Sequence, residues 1–355
     1  MKKPPLNISV KKRLAIILVF FGLPIFYCIM WLMLSQWSFH QINKILIETL
    51  SQHRISAPLQ LTRSGFPFSI SWHTERLQSA TSLLDGELSL EFSDVVFGAP
   101  LFDPTTLNIR AGRTTLTSIN RQKEILWVFR SNVLNITINS AVFGKPRLLF
   151  ELENVELLQQ EETTPTLDWR NHVVASKMVI TLNQTLQPES PTQKSALDVS
   201  VDLTGINLNS SPVDYFNDIK NAYLGVNIIG FLDASNVSSV VDWRDDGGTI
   251  EINRLRVDAS PISLEMRGTL SLDQELKPIG AGTVLVYGAK EFIEEKVVTR
   301  DISRTEGLII QLALSLLPTK INGDGKLSIQ IPITAQKGKL QLGPFMITEL
   351  FSIVG

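Results

Sequence analysis

Few residues in this chain have the type and spacing that chemistry requires. The four histidines, His40, His53, His73 and His172, are scattered. None stands in a zinc spacing such as His-x-x-x-His, so each reads as structural or surface-exposed. Gly280-Ala281-Gly282 opens like a dinucleotide loop. It lacks the third glycine, and Thr283 to Tyr287 continues as a strand where the motif needs a helix. Asp242, Asp245 and Asp246 lie close together but lack the ligand period of a calcium-binding EF-hand. With Gly247-Gly248 they read as a hairpin turn. Asn135-Ile136-Thr137 and Asn236-Val237-Ser238 match the short glycosylation pattern, a match that arises easily by chance. There is no Gly-x-Ser-x-Gly elbow and no phosphate-cradling Walker loop. The residues therefore point to no catalytic, metal or cofactor site. The expectation is a protein that is not an enzyme and carries no cofactor.

The N-terminus carries the clearest structural signal. Lys2, Lys3, Lys11, Lys12 and Arg13 precede an uncharged apolar run from Leu14 to Leu34. At about 1.5 Å per helical residue, that run spans the roughly 30 Å hydrocarbon core of a bilayer. The next basic residue is Lys44. This asymmetry places residues 1–13 in the cytoplasm, makes 14–35 a single-pass inner-membrane anchor, and puts 36–355 in the bacterial periplasm. The run exceeds the usual length of a signal peptide's apolar region, and Ser35-Gln36-Trp37-Ser38 offers no small-x-small cleavage site. Pro24 is tolerable within a membrane helix, and Trp31 and Trp37 suit the outer interface, where an indole is half wet.

The sole cysteine, Cys28, lies within that run, so the remainder has no disulfide and no thiolate metal site. The net charge of −2, with no basic stripe, argues against nucleic acid as a partner. The body alternates with period two. Leu88, Leu90 and Phe92 form one such set, and Leu134, Ile136 and Ile138 another. Leu264, Met266, Leu270 and Leu272 share one strand face; Leu327, Ile329, Ile331 and Ile333 share another. The phase switches between Ile250/Ile252 and Leu255/Val257, which predicts a bulge near Asn253-Arg254. Asp85-Gly86, Asp245 to Gly248 and Asn322 to Gly325 read as hairpin connections. Helices are expected over Trp37–Arg54, Ser211–Tyr223, Ala289–Val298 and Thr305–Leu317, the last stopping before Pro318. Residues 187–194, rich in Pro, Ser and Thr, mark a mid-chain loop or subdomain joint. The fold class is mainly β with a few helices: an anchor helix followed by antiparallel sheet.

Ser64-Gly65-Phe66-Pro67-Phe68-Ser69-Ile70 resembles the Gly-Phe/Tyr-Pro-Phe signature of a bacterial envelope family catalogued as domain of unknown function 2125. Asp242-Trp243-Arg244-Asp245-Asp246-Gly247-Gly248 resembles it as well, as do Gly268 to Asp273, Leu276-Lys277-Pro278 with Gly280, and Gly338 to Phe345. The order and spacing are similar over most of residues 15–350. Pro100 to Pro104 matches only loosely. That family is similar to the AsmA-like group of anchored periplasmic proteins. The resemblance implies a long curled sheet forming an apolar groove, phospholipid as ligand, and a part in envelope maintenance.

Three readings follow. In the first, the groove binds or passes lipid, lined by Leu264, Met266, Leu270, Leu272, Leu327, Ile329, Ile331 and Ile333, with an anchor marked by Leu14, Pro24, Trp31 and Leu34. An ordinary closed core is the alternative use of the same eight side chains. In the second, the protein is an anchored scaffold for another envelope protein. The third is a periplasmic enzyme acting on lipid or cell-wall material. The final apolar segment, Phe345 to Val354, is expected to discriminate: a packed last strand closes the sheet, whereas a loose tail favours docking.

Overall fold

The computed structural model describes residues 22–38, 61–83, 86–103, 105–120, 125–139, 147–160, 169–185, 196–208, 218–230, 237–321, 327–343 and 345–352. Helix α1 covers 22–38. β1 (Thr62–Ser64), β2 (Ser69–Leu83) and β3 (Gly86–Pro100) then form a meander. β4 (Thr106–Ala111) and β5 (Thr114–Asn120) are two segments of one line along β3. β6 (Ile125–Ser131) and β7 (Val133–Asn139) make the next line, β6 on β5 and β7 on β4, and both pair with β8 (Arg147–Gln160). β9 (Trp169–Thr185), β10 (Ala196–Asn207), β11 (Asp218–Ile229), β12 (Thr249–Ala259), β13 (Ile262–Leu272) and β14 (Pro278–Tyr287) follow, each on its predecessor. β16 (Leu327–Gln336) pairs with β14 on one side. On its other side it carries β15 (Thr319–Ile321) at one end and β17 (Lys339–Leu342) at the other. β18 (Phe345–Glu349) pairs with β17. Among the described residues the result is one sheet of 18 strands, antiparallel throughout, with β1 and β18 at its edges.

Alternation explains which side of the sheet is apolar. Cross-strand partners share a face. One row of partners runs Trp72, Phe97, Ile109, Ile136, Phe150, Ile180, Val201, Leu224, Leu255, Met266, Val284, Ile331 across the sheet. The neighbouring row on the opposite face contains Arg110, Asn135, Glu151, Asp202, Arg256, Glu265 and Gln330. One face is thus oily and the other wet over most of the sheet's width.

A crease crosses the first half. At one level the ladder is interrupted in strand after strand: at Asp94, Gly112, Asn132, Asn154 with Ser176, and Gly205 with Lys220. Asp94, Asn154 and Gly205 have left-handed φ of 50°, 52° and 61°. Short polar residues and glycine tolerate that conformation. The kink shifts the phase of alternation. Leu152 and Val155 are both buried although three residues apart, as a flat strand forbids, and Leu203 and Ile206 join the same core. That core collects Val95, Ala111, Leu134, Leu152, Val155, Ala175 and Ile206 along the crease. The Ser131 hydroxyl, fully buried, donates to the carbonyls of Val133 and Glu153 there, and the Ser176 hydroxyl to that of Thr204.

The helices divide into expected and unexpected ones. α3 (Ala289–Val298) and α4 (Arg304–Ser315) lie where their periodicity places them. Ser303 and Glu306 form a reciprocal capping box at the start of α4. The helix expected over Ser211–Tyr223 is corrected in its described part, since Asp218 onward is β11. There Ile219 and Ala222 pack against the crease core, and tertiary pairing overrides local helix signals. The hairpin expected at Asp245 to Gly248 is instead the end of α2 (Val237–Asp245). Trp243 is buried and its indole donates to the Ile229 carbonyl at 2.9 Å, while Gly247, at φ 73°, closes the helix with Gly248 N–H on the Trp243 carbonyl. The bulge at Asn253 is found: Val226 pairs with Ile252 but Gly225 with Arg254. The Trp37–Arg54 helix lies outside the described residues save for 37–38, which end α1, and residues 187–194 lie outside them entirely. The flanking strands β9 and β10 pair along their length, so the sheet continues past that point.

Two predictions follow from these elements. Asn154→Val forces a β-branched residue into left-handed backbone and should destabilise the sheet by about 1–2 kcal/mol, whereas Asn154→Gly should be near neutral. Comparing the two variants by thermal unfolding checks this. At Glu306 the Ser303 backbone N–H and hydroxyl hold the carboxyl below its ordinary range. Because the folded value is depressed, this contribution is present at neutral pH and is lost as pH falls through that depressed value. Amide exchange in the first turn of α4 should therefore accelerate on acidification, and Glu306→Ala should abolish that pH step.

Candidate functional site

The candidate site is the apolar face itself. All eight side chains expected to line a groove fall on it. Leu264 pairs with Val286 and Val286 with Ile329; Met266, Val284 and Ile331 form the next row. Leu270 lies opposite Gly280, and Leu272 opposite Pro278. Ile333 lies opposite Gly282, which in turn faces Gly268, so this row has no side chains over two strands. The backbones approach closely there: a Cβ on Gly282 would stand 2.5 Å from the Arg267 carbonyl oxygen. Leu264, Met266, Leu270, Leu272, Ile329, Ile331 and Ile333 are half-buried, and Leu327 is exposed. In a sandwich, a second sheet would bury such a row. Among the described residues the close contacts between strands are those of hydrogen-bonded neighbours, and the one helix pair in substantial contact is α3 with α4.

A hollow in the face lies elsewhere than those eight residues. Where the crease folds the sheet, it encloses an open apolar cavity of about 870 Å³. Leu90, Leu116, Phe129 and Leu157 form one wall, a row on the β5–β6 side of the crease. Ile136, Phe150, Ile180 and Met178 form the other. The sequence shows Leu90, Phe92, Leu134 and Ile136 as alternating strand residues. It gives no signal that breaks in the ladder at Asp94, Asn132 and Asn154 turn them toward one another.

The wet face carries a second, polar hollow of about 620 Å³. Glu265 there receives Arg267 at 3.1 Å and Arg254 at 3.4 Å. These pairs are partly exposed and contribute little to stability. Of the histidines, His73 is on β2, its Nδ1 3.4 Å from the Thr62 hydroxyl. His40 and His53 lie outside the described residues. Among the described residues no three His, Cys, Asp or Glu side chains gather as a metal site would require.

Helix α1 docks where the Gly-Phe-Pro-Phe segment enters β2. Tyr27, Trp31 and Ser35 stand at i, i+4 and i+8, one stripe of the helix. The Tyr27 hydroxyl donates to the Pro67 carbonyl and the Trp31 indole to the Ser69 carbonyl at 3.0 Å. Trp31 meets Phe66 edge-to-face with centroids 5.2 Å apart, and the Arg63 guanidinium lies 5.6 Å from the Trp31 ring centroid. Gly65 turns the chain with φ 97°, and a Cβ there would press on Ser69. Trp31, expected to be half wet, is 5% exposed because it is the plug of this joint; Trp37 is exposed. Outside the stripe α1 shows apolar side chains: Leu23, Ile25, Phe26, Ile29, Leu32, Met33 and Leu34 are all exposed, as are Phe66, Phe68 and Phe102 nearby in the fold or chain. Pro24 is within α1; Leu14 lies outside the described residues. Among those residues no helix is long and apolar enough to cross a membrane. At the far edge Phe345–Glu349 pairs as the last strand, yet every residue of it is exposed.

Trp31→Phe should loosen the joint by about 1 kcal/mol through the lost indole hydrogen bond, and Trp31→Ala by about 3–5 kcal/mol. Faster amide exchange over residues 65–71, graded in that order, is the expected readout.

Comparison with curated proteins and with solved structures finds no match. Residues 57–350, from just before β1 to the end of the last strand, match a bacterial family described as an uncharacterized protein conserved in bacteria, domain of unknown function 2125. The chain, with its Gly-Phe-Pro-Phe joint and single creased sheet, belongs to that family.

Proposed function

We propose that this protein is a membrane-anchored lipid carrier of the bacterial envelope, with its apolar sheet face holding acyl chains. The observation that carries the reading is the continuous apolar row across β2 to β16, half-buried over its second half and folded into a cavity at the crease. Such a surface needs an apolar cover. Each methylene withdrawn from water contributes about 0.8 kcal/mol, so an acyl chain lying along the row is a strong ligand without any polar contact. The resemblance of the sequence motifs to the AsmA-like group implies the same reading, a long curled sheet with an oily interior.

The anchor is part of the proposal. Exposed apolar residues on α1, outside the stripe that docks on β2, suit a lipid surrounding better than water. The cations before Leu14 favour a cytoplasmic N-terminus, with the sheet in the periplasm. Phe66, Phe68 and Phe102 then lie near the outer interface, where aromatic side chains collect. The reading assigns no reaction to the protein.

A scaffold for another envelope protein is the second reading. What favours it is β18, a fully exposed edge strand able to accept a partner strand.

The two readings separate in a cross-linking experiment. Benzoylphenylalanine at Ile180, on the apolar face, should capture phospholipid in intact cells; the same group at Val179, one residue earlier and facing the other way, should not. Capture of a discrete protein at both positions, without lipid, would favour the scaffold.

A further inference from the structure

We infer that α4, with the residues flanking it, is a second lipid contact, seated in a membrane surface independently of the N-terminal anchor. From Gly307 to Pro318 the chain has no charged residue. α4 touches α3 through one side: Gly307 is buried so tightly that a Cβ would stand 2.5 Å from Val297 Cγ2, and Gln311 and Leu314 continue that stripe half-buried. The rest is open. Leu308, Ile309 and Ile310 are consecutive and all exposed, and each residue turns the helix by about 100°, so the bare arc covers about 200°. Leu312 and Leu316 fill the arc, Leu316 at 81% exposure.

The width of that arc selects the occupant. A helix that seats against protein typically buries an apolar stripe of about 100° or somewhat more, and less in a coiled-coil seam. An arc twice as wide is covered by a fluid apolar medium that closes around it, as the acyl region of a bilayer does around an interfacial helix. Charge is confined to the ends of the run: Arg300, Asp301, Arg304 and Glu306 precede it and Lys320 follows it, as in an interfacial segment whose polar ends stay at the water boundary. Beyond α4 the chain enters β15, where exposed Ile321 pairs with Leu327, the outermost residue of the column Ile329, Ile331 and Ile333 on the apolar sheet face. α4 follows β14, near the opposite sheet edge from the one where α1 docks on β2.

The test uses the full chain in vesicles of phosphatidylethanolamine and phosphatidylglycerol, with Cys28→Ser and a nitroxide on Leu312→Cys. Collisions with oxygen, which concentrates in lipid, are compared with collisions with a water-soluble nickel chelate. A control label on Thr269→Cys sits on the exposed wet face. Expected at 312 are high oxygen access and loss of nickel access; at 269, the reverse. Adding Leu308→Asp and Ile309→Asp should restore nickel access at 312 with the circular dichroism unchanged. Nickel access at 312 equal to the control would overturn the inference. So would exclusion of both probes, which reports a protein contact instead. The label reads α4 alone, so its outcome is separate from lipid capture at Ile180.

Discussion

A change of phase, repeated at one level in strand after strand, is the constraint on which the rest of this structure depends. Alternation with period two gives any strand an oily side and a wet side, but a straight sheet built this way is flat and needs a second layer to cover it. Here Asp94, Asn154 and Gly205 adopt left-handed backbone along a common line, and the oily side changes parity as it crosses that line. The apolar residues before and after the kink then point toward each other. A core cluster around Leu152, Val155 and Ala175 forms in the fold, and the cavity opens beside it. The residues at the line are small or polar because the backbone demands it, and Ser131 and Ser176 satisfy carbonyls that the broken ladder releases.

Away from the crease the same face runs on with side chains half-buried. A hydrophobic surface of this extent is a standing cost in water, and large contiguous ones mark binding sites. The glycines at 268, 280 and 282 bring backbones together on that face and keep side chains out of the middle rows. A ligand lying there meets a smooth floor with branched aliphatic residues on either hand. Among the described residues these middle rows present no polar side chain, which suits the proposed carrier of acyl chains.

Much of the fold is legible in the sequence, and the reasons for the remainder are physical. Strands such as Leu134 to Ile138 and Leu264 to Leu272 declare themselves because alternation is a local property, and α3 and α4 do so because their caps and Pro318 are local too. The bulge at Asn253 shows as a slip in the pattern. What fails locally is whatever depends on a partner. Asp242 to Gly248 has hairpin composition, but Trp243 needs a burial site and takes the chain into a helix to reach one. Residues 218–223 become strand because β10 and β12 lie on either side. That Leu264 to Leu272 and Leu327 to Ile333 present one apolar face is legible from periodicity. The crease cavity is not, since it arises from kinks in several strands that only the register brings into line.

The joint between α1 and the Gly-Phe-Pro-Phe segment ties this surface to the proposed membrane: one stripe of the helix belongs to the sheet, and the rest is left apolar for another environment. The central claim is that the apolar face is a lipid site rather than an unfinished core. Native mass spectrometry of residues 36–355 exported to the periplasm, followed by lipid extraction, tests it most directly. The account predicts phospholipid adducts on the folded domain, lost when Leu270 and Ile329 carry charge while circular dichroism is unchanged. A stably folded domain that emerges free of lipid would contradict it.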